Sequence, residues 1–317
     1  MPLARTALYA KKGQGGIIAV EDMQLSTGNR YFVSSGGGGS TTSAWGDSPD
    51  APLTTIDSGI NRTTASKFDI VNVMPGHAET ITAANAIDLD TIGTWIRGLG
   101  RGTLKPTVTF GTNATARIRV NAADCTISGL RLVGNINNLA EVINVNAVNC
   151  TIEDCDFVTS SAKEAYCFIQ LATTAADGFR CRRCRVFQPT DPEGTDGGDA
   201  TGFLYFEDVE NILVEDCEFN GNFETAIFHN KTTAAKYFYV KNCHGIQELS
   251  GAEPFQLATA CSGAMLGGGF ITPAEAAATE ATLVGTLGNG FFILPPGNFG
   301  NDGVSGGQGG IIVATAS

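Results

Sequence analysis

CTISGLRL (Cys125–Leu132), CTIEDCDF (Cys150–Phe157), FRCRRCRV (Phe179–Val186), ILVEDCEF (Ile212–Phe219) and FYVKNCHG (Phe238–Gly245) align without gaps. Their first residues lie 25, 29, 33 and 26 residues apart. A fixed eight-residue core at variable spacing predicts the coils of a β-solenoid whose turns carry inserts of different length; a propeller blade needs about 40 residues or more. The first column reads Cys125, Cys150, Phe179, Ile212, Phe238, and the third Ile127, Ile152, Cys181, Val214, Val240. The sixth reads Leu130, Cys155, Cys184, Cys217, Cys243, and the eighth Leu132, Phe157, Val186, Phe219, with Gly245 as the exception. These four columns are apolar and are expected to face inward, stacked at the strand spacing of roughly 4.8 Å.

Three intervening columns are expected to face solvent. They read Ser128, Glu153, Arg182, Glu215, Lys241; Gly129, Asp154, Arg183, Asp216, Asn242; and Arg131, Asp156, Arg185, Glu218, His244. Their charges alternate in sign from one segment to the next. Like charges stacked on neighbouring strands destabilise a sheet, so alternation in three columns at once identifies the segments as spatial neighbours. Exposed pairs are worth at most about 1 kcal/mol each, which makes register their main contribution.

Outward from this core, strands and turns continue. FDIVNVM (Phe68–Met74) alternates, Pro75-Gly76 turns, and Thr80-Ile81-Thr82 resumes. Residues 67–269 are read as the solenoid and 31–66 as its N-terminal cap. In the cap, Tyr31-Phe32-Val33 predicts a strand, and Thr54 or Thr55 caps a short helix over 56–63. Such a helix would close an open solenoid end. Residues 1–30 and 270–317 are read as terminal arms, with one helix-like stretch at 273–283. GQGGII occurs in both arms, at Gly13–Ile18 and Gly307–Ile312. Gly13, Ile17, Ile18, Gly307, Ile311 and Ile312 are therefore read as assembly residues of segments that add as strands to a neighbour's edge. The tail stretch FFILPPGNF (Phe291–Phe299) is too apolar to hang free and is expected to pack against the solenoid or a partner subunit.

Several residue groups look chemical and are better read as structure. Cys181-Arg-Arg-Cys184 lacks the second ligand pair of a zinc site and the βαβ context of a redox motif. Together with Cys125, Cys150, Cys155, Cys217 and Cys243, these cysteines form a core ladder of small buried hydrophobes. Glu153-Asp-Cys-Asp156 and Glu215-Asp-Cys-Glu218 could be a glycosidase pair, but Arg182, Arg183 and Arg185 lie between them in the stack. The acidic insert Asp191–Asp199 lacks calcium-loop spacing and reads as a solvated loop. Of three histidines, His77 sits in a turn, His229 is expected at a groove or neighbouring chain, and His244 ends a charge column. No catalytic residue, metal or cofactor is expected, and no catalytic groove is evident.

A net charge of −12 argues against nucleic acid as a partner and fits docking onto a basic protein patch. No stretch is long enough to span a bilayer. MPLARTALYAKKGQGG (1–16) has no apolar signal region, and nine cysteines, an odd number, fit reduced thiols made in a cytoplasm.

DIVNVMPGHAETI (Asp69–Ile81) and TWIRGLGRGTLKPTVTF (Thr94–Phe110) resemble right-handed parallel β-helix proteins of tailed bacteriophages and prophages, on a pectin-lyase-like solenoid. Tyr31–Ser35, the Gly run after it, Ser48-Pro49 and Thr55-Ile56 resemble the N-terminal lid of the same class. The resemblance covers residues 31 to about 265. It implies a virion component, commonly a homotrimer. A short chain with two arms favours a capsid decoration or cement protein on the outer surface, bound to the major capsid protein or other virion proteins. A tailspike or fibre that binds a host surface glycan is the alternative, and a polysaccharide lyase or hydrolase is a second one.

Overall fold

The computed structural model describes residues 28–36, 45–136, 138–159, 165–188, 201–230, 232–247, 253–271 and 290–294. The two GQGGII segments, the acidic insert at 191–199 and the stretch 273–283 lie outside the described residues.

The chain is a right-handed parallel β-helix of about seven coils. Each coil contributes one strand to each of three faces. The first face stacks Arg30–Val33, Ile70–Val73, Trp95–Gly98, Thr126–Ser128, Thr151–Glu153, Arg180–Arg182, Leu213–Glu215 and the start of Phe238–Gln247. Ser262–Ile271 and Gly290–Leu294 continue the stack, so part of the stretch read as a C-terminal arm adds to the sheet. The second face runs from Ala78–Ile81 through Asp156–Thr159 and Arg185–Phe187 to the end of Phe238–Gln247. The third runs from Ile87–Leu89 through Ala165–Leu171 to Glu253–Gln256.

The register reproduces the sequence columns. Ile127, Ile152, Cys181, Val214 and Val240 are paired coil to coil, and all are buried. Gly245 is the exception for a steric reason. A Cβ there would lie 2.9 Å from Phe270 Cδ1, so the ring from the next coil fills the space. Ser128 departs from the expectation of exposure. It is 5 % exposed, accepts the Trp95 indole N–H at 2.7 Å and hydrogen-bonds the Ile96 carbonyl at 3.3 Å. Its partner is the larger Trp95 of the preceding coil, which covers it. Gly129, the next residue, is half-buried and lines the corner.

The core changes composition along the axis. Early coils bury Val71, Ile96, Ile127 and Ile152; later ones bury Phe203, Phe219, Phe228, Phe238 and Phe255. Phe291 closes this aromatic stack against Phe238 and Phe255, at 5.7 and 5.6 Å between ring centroids. At the other end the cap helix spans Ile56–Ile60, shorter than the expected 56–63 because Asn61 ends it. Thr55 is the N-cap, its hydroxyl accepting from Ser58 N–H at 3.2 Å. Ile56 and Ile60 enter the core.

One corner of every coil turns on a single left-handed residue, and a second corner does so in the later coils. One corner column reads Phe68, Gly93, Asp124, Asn149, Gly178, Asn211, Tyr237, and every member has positive φ. Asn, Asp and Gly tolerate this conformation, whereas other residues are strained by roughly 1–2 kcal/mol. Tyr237 has a φ of 58° and is half exposed. Tyr237→Asn is expected to stabilise the protein by about 1 kcal/mol in urea denaturation. An unchanged or lower midpoint would show that the tyrosine is held there by contacts worth more than the strain.

Candidate functional site

The second corner column carries the candidate site. Gly129, Asp154, Arg183, Asp216 and Asn242 have φ between 49° and 70°. Coils three to seven turn sharply there. The preceding coil does not: its strands open at Trp95 and Thr107, against Thr126 and Arg131 in the next, a corner longer by seven residues. That insertion contains the 3₁₀ turn Gly102–Leu104 and stands out as a wall. The result is an open groove of about 1200 Å³ running along the axis from Trp95 and Arg97 to Asn242 and His244. The sequence made no groove evident at this place. It exists because one insertion projects beside several tight corners, and a gapless alignment of the tight corners leaves that insertion out.

The groove is polarised. Trp95, Arg97, Arg101 and Lys105 are among its lining residues. Arg97 donates from Nε and Nη2 to Asn72 Oδ1 at 3.0 and 2.7 Å, and its Cζ lies 5.3 Å from the Trp95 ring centroid. The floor between them is bare backbone: a Cβ on Gly98 would meet the Gly129 carbonyl oxygen at 2.3 Å. Further along, carboxylates alternate with cations. Arg183 bridges Asp154 at 2.8 Å and Glu153 at 3.0 Å, and the Asp154 hydrogen bond raises its already high pKa. Lys105 binds Asp156 at 2.9 Å and the Asp154 carbonyl at 2.8 Å. Arg182 binds Glu215 at 2.7 Å, and Asn242 donates to Asp216 at 3.3 Å. The two acidic clusters thus sit in stacked ladders with the arginines between them.

The cysteines sit in the interior. Cys125, Cys150, Cys155, Cys181, Cys184, Cys217 and Cys243 are all buried free thiols, as are Cys167 and Cys261. Cys181 Sγ and Cys217 Sγ are 3.9 Å apart. Burial pushes Cys125 up to about 11 and Cys150 and Cys261 up to about 12. A raised thiol pKa keeps the group protonated and non-nucleophilic at neutral pH. Native protein at pH 8 is therefore expected to react negligibly with a disulfide thiol reagent and to release all nine thiols once denatured. Fast labelling of even one thiol in the folded state would contradict this environment. Among the described residues no group of three or more His, Cys, Asp or Glu side chains is placed to hold a metal ion.

The histidines do not converge. His229, expected at a groove or neighbouring chain, lies on the third face with its ring centroid 5.1 Å from Tyr205 and does not line this groove. His244 lines the far end of the groove. His77 follows the Pro75-Gly76 turn, its N–H donating to the Met74 carbonyl at 3.1 Å, and its side chain is buried. Its Nδ1 accepts from Ser35 N–H at 2.9 Å, which places the ring proton on Nε2, 3.1 Å from Glu79 Oε2. Glu79 also accepts from Ile56 N–H at 2.9 Å. His77 and Glu79 thus tie the cap strand and cap helix to the first coil. Their i, i+2 spacing on a strand, which puts both on one face, was the available signal. The assembly residues Gly13, Ile17, Ile18, Gly307, Ile311 and Ile312 lie outside the described residues.

No described helix is long and apolar enough to cross a membrane. No protein-family model matches the chain, and no curated protein matches it. Among solved structures the chain is similar to a "Rhamnogalacturonan lyase", at a TM-score of 0.52 and 14 % identity over 76 % of this chain and 73 % of that one. It also matches "Crystal structure of pectate lyase Pel9A", at a TM-score of 0.45 and 11 % identity over 92 % of this chain and 91 % of the other. At these identities the likeness is one of fold: the chain shares the parallel β-helix of the rhamnogalacturonan lyase.

Proposed function

We propose that this protein is a structural component of a tailed-bacteriophage virion, of the capsid decoration or cement type, and that it acts by binding rather than by catalysis. The observation that supports this reading is the fate of its acidic side chains. Glu153, Asp154, Asp156 and Glu218 in the groove each face an arginine or lysine, and Asp216 accepts from an asparagine amide. The polar groups that look most reactive are thus spent on holding adjacent coils together. A net charge of −12 suits docking onto a basic patch of the major capsid protein. Imaging of intact particles with an antibody to this chain tests the proposal. Many copies spread over the shell are expected. A few copies at one vertex would make it a tail appendage instead, and absence from the particle would end the virion reading.

The groove favours a second reading, in which the protein engages a host surface glycan as a tailspike or a polysaccharide-degrading enzyme would. An aromatic ring with Arg97 over it, in a groove also lined by Arg101 and Lys105, suits a sugar carrying a carboxylate. Incubation with host capsular polysaccharide separates the outcomes. Release of shorter chains with unsaturated ends would establish a lyase, and retention without cleavage would establish a receptor-binding role.

A further inference from the structure

Five cations line the groove, and four of them are already engaged by the protein. Arg183 bridges Asp154 and Glu153, Lys105 binds Asp156, and Arg185 stands 3.8 Å from Glu218. Arg97 is taken up by Asn72 Oδ1 and by the Trp95 ring. Arg101 is the exception. It is exposed, and its side chain makes no hydrogen bond or ion pair among the described residues.

The chain around Arg101 holds it in one place. Gly100 has a φ of 136°, and a Cβ there would lie 2.4 Å from the Leu104 carbonyl oxygen; Gly102 has a φ of 58°. Glycine takes both positions without the strain that another residue would carry. Between them Arg101 is extended, at φ −141° and ψ 161°, and its carbonyl accepts from Leu104 N–H at 3.1 Å. The Leu104 carbonyl in turn accepts from Gly76 N–H at 2.8 Å, which ties the turn to the preceding corner. Arg101 is therefore an exposed cation on a hydrogen-bonded turn.

We infer that Arg101 is the specificity-determining residue of the groove, and that it selects the carboxylate of an acidic sugar. This role rests on the glycan reading of the groove. Electrostatics single Arg101 out. Five carboxylates line the groove beside the five cations, in a chain of net charge −12, so only an unpaired cation gives an incoming anion a net attraction. A cation already bonded to a carboxylate would exchange one such partner for another and gain little. The Arg101 guanidinium is always charged, and its planar fork fits a carboxylate through two parallel hydrogen bonds. Trp95, also in the lining, offers an apolar surface to any sugar ring, acidic or neutral. Affinity and selectivity thus fall to different side chains.

Isothermal titration calorimetry of the full chain with a uronate hexasaccharide, and with its carboxyl-reduced form, tests the assignment. The wild type is expected to bind the acidic form about fivefold more tightly than the reduced one. Arg101→Gln should bind both forms alike, at the wild-type affinity for the reduced form, with unchanged thermal unfolding because no described partner is lost. Arg101→Lys should keep part of the preference, since the charge remains and the fork does not. An Arg101→Gln protein that still prefers the acidic form would overturn the role of Arg101 and leave the glycan reading standing. A wild type that binds both forms equally would do the same. A wild type that binds neither form would end the glycan reading and the role of Arg101 with it.

Discussion

Cys217→Arg is expected to prevent folding at ordinary temperature, with a loss above about 4 kcal/mol. The side chain is 2 % exposed. Its sulfur lies 3.9 Å from Cys181 Sγ and 3.4 Å from Cys184 N, and it donates to the Glu215 carbonyl at 3.2 Å. Hydrogen bonding among these thiols and burial hold its pKa above the ordinary range, the mark of a site that disfavours charge. An arginine there has no carboxylate within the core to meet. It is also too long for a column in which neighbours repeat about every 4.8 Å. Cys217→Ala removes the thiol without adding charge or volume and should cost about 1 kcal/mol, which separates the two effects. Far-UV circular dichroism and thermal melts provide the measurement, and wild-type stability in the arginine variant would sink the interior assignment of the sixth column.

Phe228→Ala ranks next, with an expected loss of about 3–5 kcal/mol in urea denaturation. Phe228 is fully buried where four other rings meet. Its centroid is 5.2 Å from Phe219, 5.7 Å from Phe238, 5.0 Å from Phe255 and 6.0 Å from Phe270. Truncation removes the contacts with all four, and the surrounding coils are pinned by backbone ladders that limit collapse into the cavity. Ile152→Ala in the aliphatic part of the core leaves a smaller void and should cost about 2–4 kcal/mol. Equal effects at the two sites would mean that the aromatic stack relaxes more freely than its ladders suggest.

Both expectations depend on stacking, and stacking is what made this fold readable. In a solenoid, residues one coil apart in sequence are neighbours in space, so an interior column is visible as aligned letters. The Ile127, Ile152, Cys181, Val214, Val240 column needed no coordinates. Nor did the charge alternation, since Glu153, Arg182 and Glu215 are separated by single coils. The earliest coils were harder to read. Their first-face strands Ile70–Val73 and Trp95–Gly98 keep the pattern, but longer corners displace the second-face strands Ala78–Ile81 and Thr107–Phe110 out of a gapless alignment.

The sequence by itself determined the coil, its inward and outward columns and the inert setting of its cysteines, because each is a relation between residues one repeat apart on the same ladder. Tertiary structure decided the rest. The groove depends on a corner insertion in one coil standing beside tight corners in five others, a relation between unlike positions that no column records. The burial of Ser128 depends on the width of the indole beside it. The clasp from His77 and Glu79 to Ser35 and Ile56 joins segments tens of residues apart that share no repeat.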